Sequence, residues 1–268
     1  MTHTRRRDGR GDGATARMAR ANMGSTTTAI SVTVIVPTYE ERENIGVLYR
    51  LIRESEDAFA DARGKWEIVI VDDNSPDGTA DVVRRLRAAY DDPLLILSER
   101  PGKLGLGTAY AHGLKLARGE EIVIMDADLS HHPRDIGKFL KLRRERDLDV
   151  VSGTRYLPGG GVHGWDFRRK LTSRGANYLA RVMLAPGASD LTGSFRCYKK
   201  NALETLVASS GSKGYVFQME IIVRAKKSGM SVGEVPITFV DRMYGESKLG
   251  ASEIVGYLKG LVRLFFEL

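Results

Sequence analysis

Five short apolar runs limit what this chain can fold into: residues 32–36, 68–71, 94–97, 122–125 and 150–151, each separated from the next by a segment of helical length. A strand that is apolar at consecutive positions is buried on both faces, the habit of parallel sheets rather than of half-exposed antiparallel ones. The intervening segments are 41–55, 79–89, 108–117 and 133–146. Their apolar residues recur at helical spacing, as in Ile45, Leu48 and Ile52, or Val82, Leu86 and Tyr90. Asp77-Gly78-Thr79, and Ser130 ahead of Pro133, supply turn and cap chemistry at helix starts. Strand, helix, strand repeated four times predicts an α/β chain with a mostly parallel central sheet flanked by helices on both faces.

Beyond Tyr156 the rhythm changes. A Pro/Gly-rich loop at 157–161 leads to a basic helix over 168–183, then a strand at 194–198. Helices at 201–207 and 218–228 and a strand at 232–240 follow. No linker is long enough to separate a second domain and no repeat is visible. The reading is a single domain over 31–250, a tail over 1–30 and an amphipathic C-terminal helix over 251–268.

Composition narrows the partners. With 42% apolar and 28% charged residues the chain is neither wholly disordered nor fibrous. Of its formal charge of +7, residues 1–30 supply +4 through six Arg against Asp8 and Asp12, so only +3 remains for the rest. The basicity is mostly a tail, read as a solvated arm able to touch anionic lipid or RNA, with a mitochondrial-type presequence as the alternative. Nucleic acid is not an expected partner. No stretch of about 18 mostly apolar residues occurs, so a membrane role needs a surface helix or a partner. The single cysteine, Cys197, excludes an intramolecular disulfide and cysteine-based metal clusters, and suits a reducing compartment.

In a parallel sheet, ligands bind outside the carboxyl ends of the strands. The residues there are Pro37-Thr-Tyr-Glu-Glu41, Asp72-Asp73-Asn74-Ser75, Asp126-Ala-Asp128 and Gly153-Thr-Arg155. Carboxylates, an aromatic and an arginine thus meet at one rim. Asp126 and Asp128, two apart at a strand end, can share one hard cation and leave its other positions to water and phosphate oxygens; helix capping before Pro133 is the plainer alternative. One of Asp72 and Asp73 can accept from a base or ribose, while Ser75 to Gly78 reads as a turn and cap. Tyr39 can contact a nucleoside or simply pack.

Other signals are weaker. Gly102-Lys-Leu-Gly-Leu-Gly107 lacks the Ser or Thr of a Walker loop and the third glycine of a dinucleotide fingerprint, so it reads as a tight loop into a helix. His131 and His132 are adjacent with no third soft ligand nearby, which disfavours zinc. No Gly-x-Ser-x-Gly elbow occurs, and Cys197 has no His partner in a known local pattern. Arg168, Arg169, Lys170 and Arg174 share a helix with Ser173. Arg242 and Lys248 flank a polar loop around Gly245 whose cations can close over phosphates. In the last helix Ile254, Leu258, Leu261, Val262 and Phe265 fall on one face, with Leu264 and Phe266 widening it, for docking on the core or on a membrane.

Taken together the chain resembles family-2 glycosyltransferases of GT-A fold, and more narrowly the dolichol-phosphate mannosyltransferases. The carriers are 36–44 (Val-Pro-Thr-Tyr-Glu-Glu-Arg-Glu-Asn), 71–79, Gly105-Leu-Gly-Thr-Ala-Tyr110 and Met125-Asp-Ala-Asp-Leu-Ser-His-His-Pro133. They continue through Ser152-Gly-Thr-Arg-Tyr156, Ser173-Arg-Gly-Ala-Asn177, 187–196, 214–220 and Gly245-Glu-Ser-Lys-Leu249. The resemblance covers nearly everything from Ser31 onward. It implies a GT-A (Rossmann-like) domain in which Pro37, Tyr39, Glu41, Val71 and Asp73 bind the nucleoside of GDP-mannose. Asp126 and Asp128 would hold Mg2+ or Mn2+ on the diphosphate, with Ala127 contributing backbone. Arg155, Arg242 and Lys248 would meet donor phosphates, and Arg169 with Ser173 the acceptor phosphate; Asp128 and Arg155 are the residues on which catalysis would rest. Where some members carry Gln two residues beyond the paired acids, this chain has Ser130.

The implied reaction is inverting transfer of mannose to dolichyl phosphate for glycan, GPI and protein mannosylation, at the cytosolic face of the endoplasmic reticulum membrane. Many members append membrane-spanning helices; this chain would need small membrane-embedded partner subunits. An ionised phosphate acceptor (second pKa about 6) attacks without a general base, so holding two anions in line and neutralising the leaving diphosphate are the main demands. The rival readings are glucose transfer to a polyprenyl phosphate and, from another class, a non-catalytic basic lipid- or RNA-binding module. Intact strand-end acids serve no purpose in the latter.

Overall fold

The computed structural model describes residues 1–2, 29–165, 167–185, 187–212, 214, 216–241 and 251–267. The expected tail over 1–30 therefore lies almost wholly outside the described residues. The first half runs β1 (Ile30–Thr38), α1 (Arg42–Phe59), β2 (Lys65–Asp72), α2 (Thr79–Ala89), β3 (Leu95–Glu99), α3 (Leu106–Leu116), β4 (Glu121–Ile124), α4 (Asp135–Arg146) and β5 (Val150–Thr154). The second half runs β6 (Gly161–His163), α5 (Phe167–Leu184), β7 (Arg196–Lys199), α6 (Lys200–Ser209), α7 (Val216–Lys227), β8 (Val232–Pro236), β9 (Thr238–Val240) and α8 (Ala251–Glu267).

Seven strands form one sheet in the order β3-β2-β1-β4-β7-β5-β8. All neighbours are parallel except β7, which runs antiparallel between β4 and β5 and places Cys197 opposite both Val123 and Val151. The strands bury both faces, as their unbroken apolar runs require. In β1, Val32, Val34 and Val36 join a core with α1, α2 and α4. Ile35 joins a second core with α3 and α5 to α8.

Residues 232–240 do not make one strand. β8 pairs with β5, while β9 leaves the sheet to pair with β6 in a separate two-stranded ribbon. Pro236 stands at that break and has no N–H with which to extend the ladder. Ile237 turns its N–H back to Thr154 O at 2.9 Å.

At the amino edge of the sheet, Arg144 bonds both Asp61 and Glu121, and Arg143 also reaches Glu121. Burial alone would raise the Asp61 carboxyl, but hydrogen bonds from Arg144, the Arg63 N–H and Ser31 bring it down to about 2.

The expected apolar face of the last helix is only partly buried. Leu261 and Leu264 are buried against the core, whereas Leu258, Val262, Phe265 and Phe266 are exposed. Leu261 and Leu264 lie three apart and turn inward together; Leu258 and Phe265 flank Leu261 one turn away on the edge of that face, and Val262 and Phe266 lie further round toward solvent. The Ile254 side chain is outside the described residues.

Candidate active site

The carboxyl ends of β1, β2, β4 and β5 lie along one edge of the sheet, as expected, and the start of antiparallel β7 joins them. Three non-glycine residues there take left-handed backbone: Glu40 (φ 57°), Asn74 (φ 58°) and Leu129 (φ 61°), one after each of β1, β2 and β4. Such conformations cost energy, least for Asn, and persist where surrounding contacts impose them.

After β2 the two acids divide their labour. Asp72 is buried as a turn element: Thr38 Oγ1 and Ser75 Oγ donate to its Oδ1 at 2.8 and 2.6 Å, and the Ser75 N–H to its Oδ2 at 2.9 Å. Asp73 takes a bidentate pair from Arg100 at 2.6 and 2.7 Å. Arg100 also donates to Thr108 Oγ1 at 2.8 Å and so ties this strand end to α3. Burial is the larger influence on Asp73 and raises its carboxyl from the ordinary value against the pull of Arg100. Tyr39 lies under Lys103, whose Nζ is 3.4 Å from the ring centroid. Glu41 accepts from Asn44 Nδ2 at 2.7 Å and donates its own N–H to Thr79 Oγ1. Pro37 and Val71 are register partners on adjacent strands, which places them side by side below these groups.

After β4, Asp126 is half-exposed and accepts from Ser194 Oγ at 2.7 Å, while Asp128 is buried and accepts the Ser130 N–H at 3.1 Å. Ala127 between them is buried. The adjacent histidines take different tasks. His132 caps a turn, its Nδ1 accepting the Arg134 N–H at 3.2 Å. His131 is enclosed, stacked on Phe195 at 5.0 Å and edge-on to Phe239 at 5.5 Å. Its Nδ1 accepts the Asp126 N–H at 3.4 Å. The imidazole is thus a strut beneath the acid loop, and the Val240 N–H secures the same loop through Ser130 O at 3.1 Å.

The fit to a divalent cation can be judged from these donors. Two hard carboxylates stand beside Ser130 Oγ, a buried hydroxyl with no hydrogen-bond partner among the described residues. No group of three or more His, Cys, Asp or Glu converges among the described residues. Such a set suits Mg2+ or Mn2+ that takes its remaining ligands from phosphate and water, and does not form an all-protein cage.

After β5, Arg155, expected to meet donor phosphates, is also engaged within the protein. It is 8% exposed, and Asp190 holds it bidentate at 2.6 and 2.7 Å, with Thr192 Oγ1 a further acceptor at 2.6 Å. Its Nη1 alone has no hydrogen-bond partner among the described residues. Burial would lower Arg155 and raise Asp190; their attraction overrides both, so Arg155 rises and Asp190 falls from the ordinary value. Trp165 meets both this guanidinium and that of Arg169, at centroid distances of 5.3 and 4.3 Å. Arg169 pairs with Asp241 at 3.0 Å. Ser173 shares a hydrogen with Tyr156 Oη at 2.7 Å. Asn177 links Ser173 O to the 190–193 loop, donating to Thr192 Oγ1 at 3.3 Å and accepting the Leu191 N–H at 2.8 Å.

Arg155, Arg169 and Ser173 therefore belong to one connected arrangement. Arg242 and Lys248 lie outside the described residues. Sequence reasoning passed over Asp190, Arg100 and Trp165, and assigned His131 no task. Asp190 and His131 lay within the family's motifs, whereas nothing local marked Trp165 or Phe239.

Solved structures share this mostly parallel sheet flanked by helices. Mannosyl-3-phosphoglycerate synthase from Rubrobacter xylanophilus aligns with a TM-score of 0.62 at 18% identity, over 87% of this chain and 72% of that one. Glucosyl-3-phosphoglycerate synthase from Mycobacterium tuberculosis, solved with Mn2+, uridine diphosphate and glucosyl-3-phosphoglycerate, gives 0.60 at 14% identity over 87% and 77%. Residues 33–207 match Glycosyl transferase family 2, and the chain belongs to that family. It is 39% identical over 225 residues to polyprenol monophosphomannose synthase of Mycolicibacterium smegmatis, covering 82% of each chain. It is 38% identical over 229 residues to undecaprenyl-phosphate mannosyltransferase of Micrococcus luteus, covering 84% of this chain and 89% of that one.

Proposed function

We propose that the protein transfers mannose from GDP-mannose to a polyprenyl phosphate, with inversion at the anomeric carbon and with Mg2+ or Mn2+ on the donor diphosphate. The observation that carries the reading is the rim itself. The paired acids at the end of β4 act on Arg155 through the charge of Asp126, and the arginine–serine pair on α5 reaches the same Arg155 through Trp165 and Tyr156, one set suited to a metal-bound diphosphate and the other to a phosphate monoester. The two mannosyltransferase relatives support the sugar and the lipid class. Dolichyl phosphate is one member of that class; an endoplasmic reticulum site with glycan and GPI roles belongs to the dolichyl version, and the bacterial relatives favour the wider polyprenyl one. Small membrane-embedded partner subunits remain part of the reading, because no described helix is long and apolar enough to cross a membrane.

In this reading Pro37, Tyr39, Glu41, Val71 and Asp73 receive the nucleoside. Arg100 fixes the rotamer of Asp73, so that carboxylate is preorganised before donor arrives. Asp126, Asp128 and the Ala127 backbone would hold the cation, which when bound neutralises charge on the departing diphosphate. Arg155 offers its unpartnered Nη1 to the donor phosphates, while Asp190 holds the guanidinium plane in place. Arg242 and Lys248 are assigned to the same phosphates. Arg169 and Ser173 hold the acceptor phosphate, whose ionised oxygen attacks directly; no side chain need remove a proton.

The test is incubation with radiolabelled GDP-mannose or UDP-glucose and a polyprenyl phosphate, followed by lipid extraction. Mannose counts in the lipid phase, lost in EDTA, are expected. Glucose counts alone would replace the donor assignment, and no label in lipid from either donor would overturn the reading.

A further inference from the structure

Lys103 stands on the turn between β3 and α3, beside the nucleoside end of the rim. The turn is pinned on both sides. Arg100 donates its N–H to Asp72 O at 2.7 Å, and Thr108 Oγ1 donates to Gly105 O at 2.6 Å. Between these anchors Lys103 is exposed and forms no ion pair with a described residue. Its ammonium folds back across the rim all the same, to 3.4 Å from the centre of the Tyr39 ring. Burial raises the Asp73 carboxyl, and the charge of Lys103, with that of Arg100, pulls it back. Ring, carboxylate and ammonium come from the ends of β1, β2 and β3, so the sheet and not the sequence brings them together.

An ammonium beside a carboxylate reads one kind of base edge. Guanine presents O6, an acceptor, next to N1–H, a donor; adenine presents an amino donor next to a bare ring nitrogen, the reverse order. A carboxylate has about four acceptor sites. Arg100 takes one on each oxygen of Asp73, so the same group can still accept N1–H. Lys103 has donors only, so it welcomes a carbonyl and repels an amino group. No flat base fits in the 3.4 Å between the ammonium and the Tyr39 ring. A base reaches that face only as Lys103 swings aside to the base edge, a movement its flexible four-carbon stem allows.

We infer that Lys103 selects the base of the donor: it covers the Tyr39 ring in the empty site, gives that face up to an entering nucleotide, and donates to the O6 carbonyl of a guanine-type base. A charge-assisted hydrogen bond replaces the cation–π contact and outweighs it. Arg100 does not share the task, because its guanidinium is spent on Asp73 and Thr108. The assignment rests on the proposed seating of a nucleoside at Tyr39 and Asp73, and deepens it from a nucleoside to a class of base.

The test is calorimetric titration of the full chain, in Mn2+, with GDP, IDP, ADP, UDP and CDP. Wild type should bind GDP and IDP, which share O6 and N1–H, more tightly than ADP. Lys103→Met keeps the length of the stem and removes the charge. It should weaken GDP and IDP alike by about tenfold and ADP by less than about threefold. Lys103→Arg should restore the preference for GDP, since a guanidinium also donates to the guanine carbonyl. Lys103 is exposed, so thermal unfolding of both variants should match wild type. Equal weakening of all five nucleotides by Lys103→Met would mark a phosphate contact or a mere prop for the ring, and would overturn the assignment. So would unchanged GDP affinity in that variant, or a wild type that does not prefer GDP to ADP when it also fails to prefer UDP to CDP. The donor reading fails separately. A wild type that takes UDP over GDP refutes GDP-mannose as donor, and the role of Lys103 is then decided on UDP against CDP, which differ by the same exchange of carbonyl for amino group.

Discussion

Asp190→Ala should be among the most damaging single changes to this domain, and the structure sets its size. Asp190 is wholly buried and accepts two hydrogen bonds from Arg155 and further ones from the N–H groups of Arg155, Thr192 and Gly193. Breaking a buried ion pair from one side costs about 3–5 kcal/mol, because the other charge stays buried and unpaired. Arg155 keeps Thr192 and three aromatic rings, at 5.5 Å for Tyr156, 5.3 Å for Trp165 and 5.4 Å for Phe239, which offset about 1 kcal/mol. The orphaned N–H groups restore a similar loss. The expected cost is about 4 kcal/mol, or roughly 8–16 °C in Tm for a domain of this size. A double-mutant cycle with Arg155→Met, read by denaturant unfolding at neutral pH, isolates the pair. Arg155→Met should cost about 3 kcal/mol in the wild type and next to nothing after Asp190→Ala, a coupling of at least about 2 kcal/mol. Additivity within about 0.5 kcal/mol would show that the two residues are not one energetic unit, and the account of Arg155 given above would be wrong.

Asp128→Ala, in protein that retains its unfolding transition, should lose both mannosyl transfer and Mn2+-dependent nucleotide binding by calorimetry; full activity of the variant in EDTA would refute the metal assignment. Arg169→Ala should raise the acceptor KM about 10- to 100-fold, the worth of one charged contact of roughly 1.5–3 kcal/mol, with GDP-mannose binding unchanged within about threefold. The reverse pattern would assign α5 to the nucleotide. Asp61→Asn should cost about 1–2 kcal/mol at neutral pH. Asp61 titrates at about 2 when folded against an ordinary 3.8, so its stabilisation is complete above the ordinary value and fades as pH falls toward 2. Denaturation curves of the two proteins should therefore converge near pH 2, and a constant gap from pH 7 downward would refute the assignment.

The parallel half of the sheet was legible because its strands are buried on both faces and advertise this with unbroken Val and Ile. The rim was legible for the same reason: once the strands are placed, the residues that follow them are placed too. Legibility failed where the deciding contact is distant in sequence. Asp72 and Asp73 read alike as neighbours, but only Asp72 meets Thr38 and only Asp73 meets Arg100. No task for His131 was legible, because the rings that enclose it, Phe195 and Phe239, come from beside β7 and from β9. The hydrophobic content of α8 was plain, yet how much of its apolar face is buried depends on which side α7 covers. The Arg155–Asp190 pair was not legible because the partners lie 35 residues apart.

Cys197 has a practical consequence. It lies between β4 and β5 in the middle of the sheet, and burial pushes its thiol up to about 12. A buried thiol held in its protonated form is a poor nucleophile at neutral pH. The native chain is thus already a silent background for thiol labelling. A cysteine introduced at Tyr178 or Val262 would take up a polarity-sensitive fluorophore alone, and its emission would report directly on whether that side chain meets water or lipid.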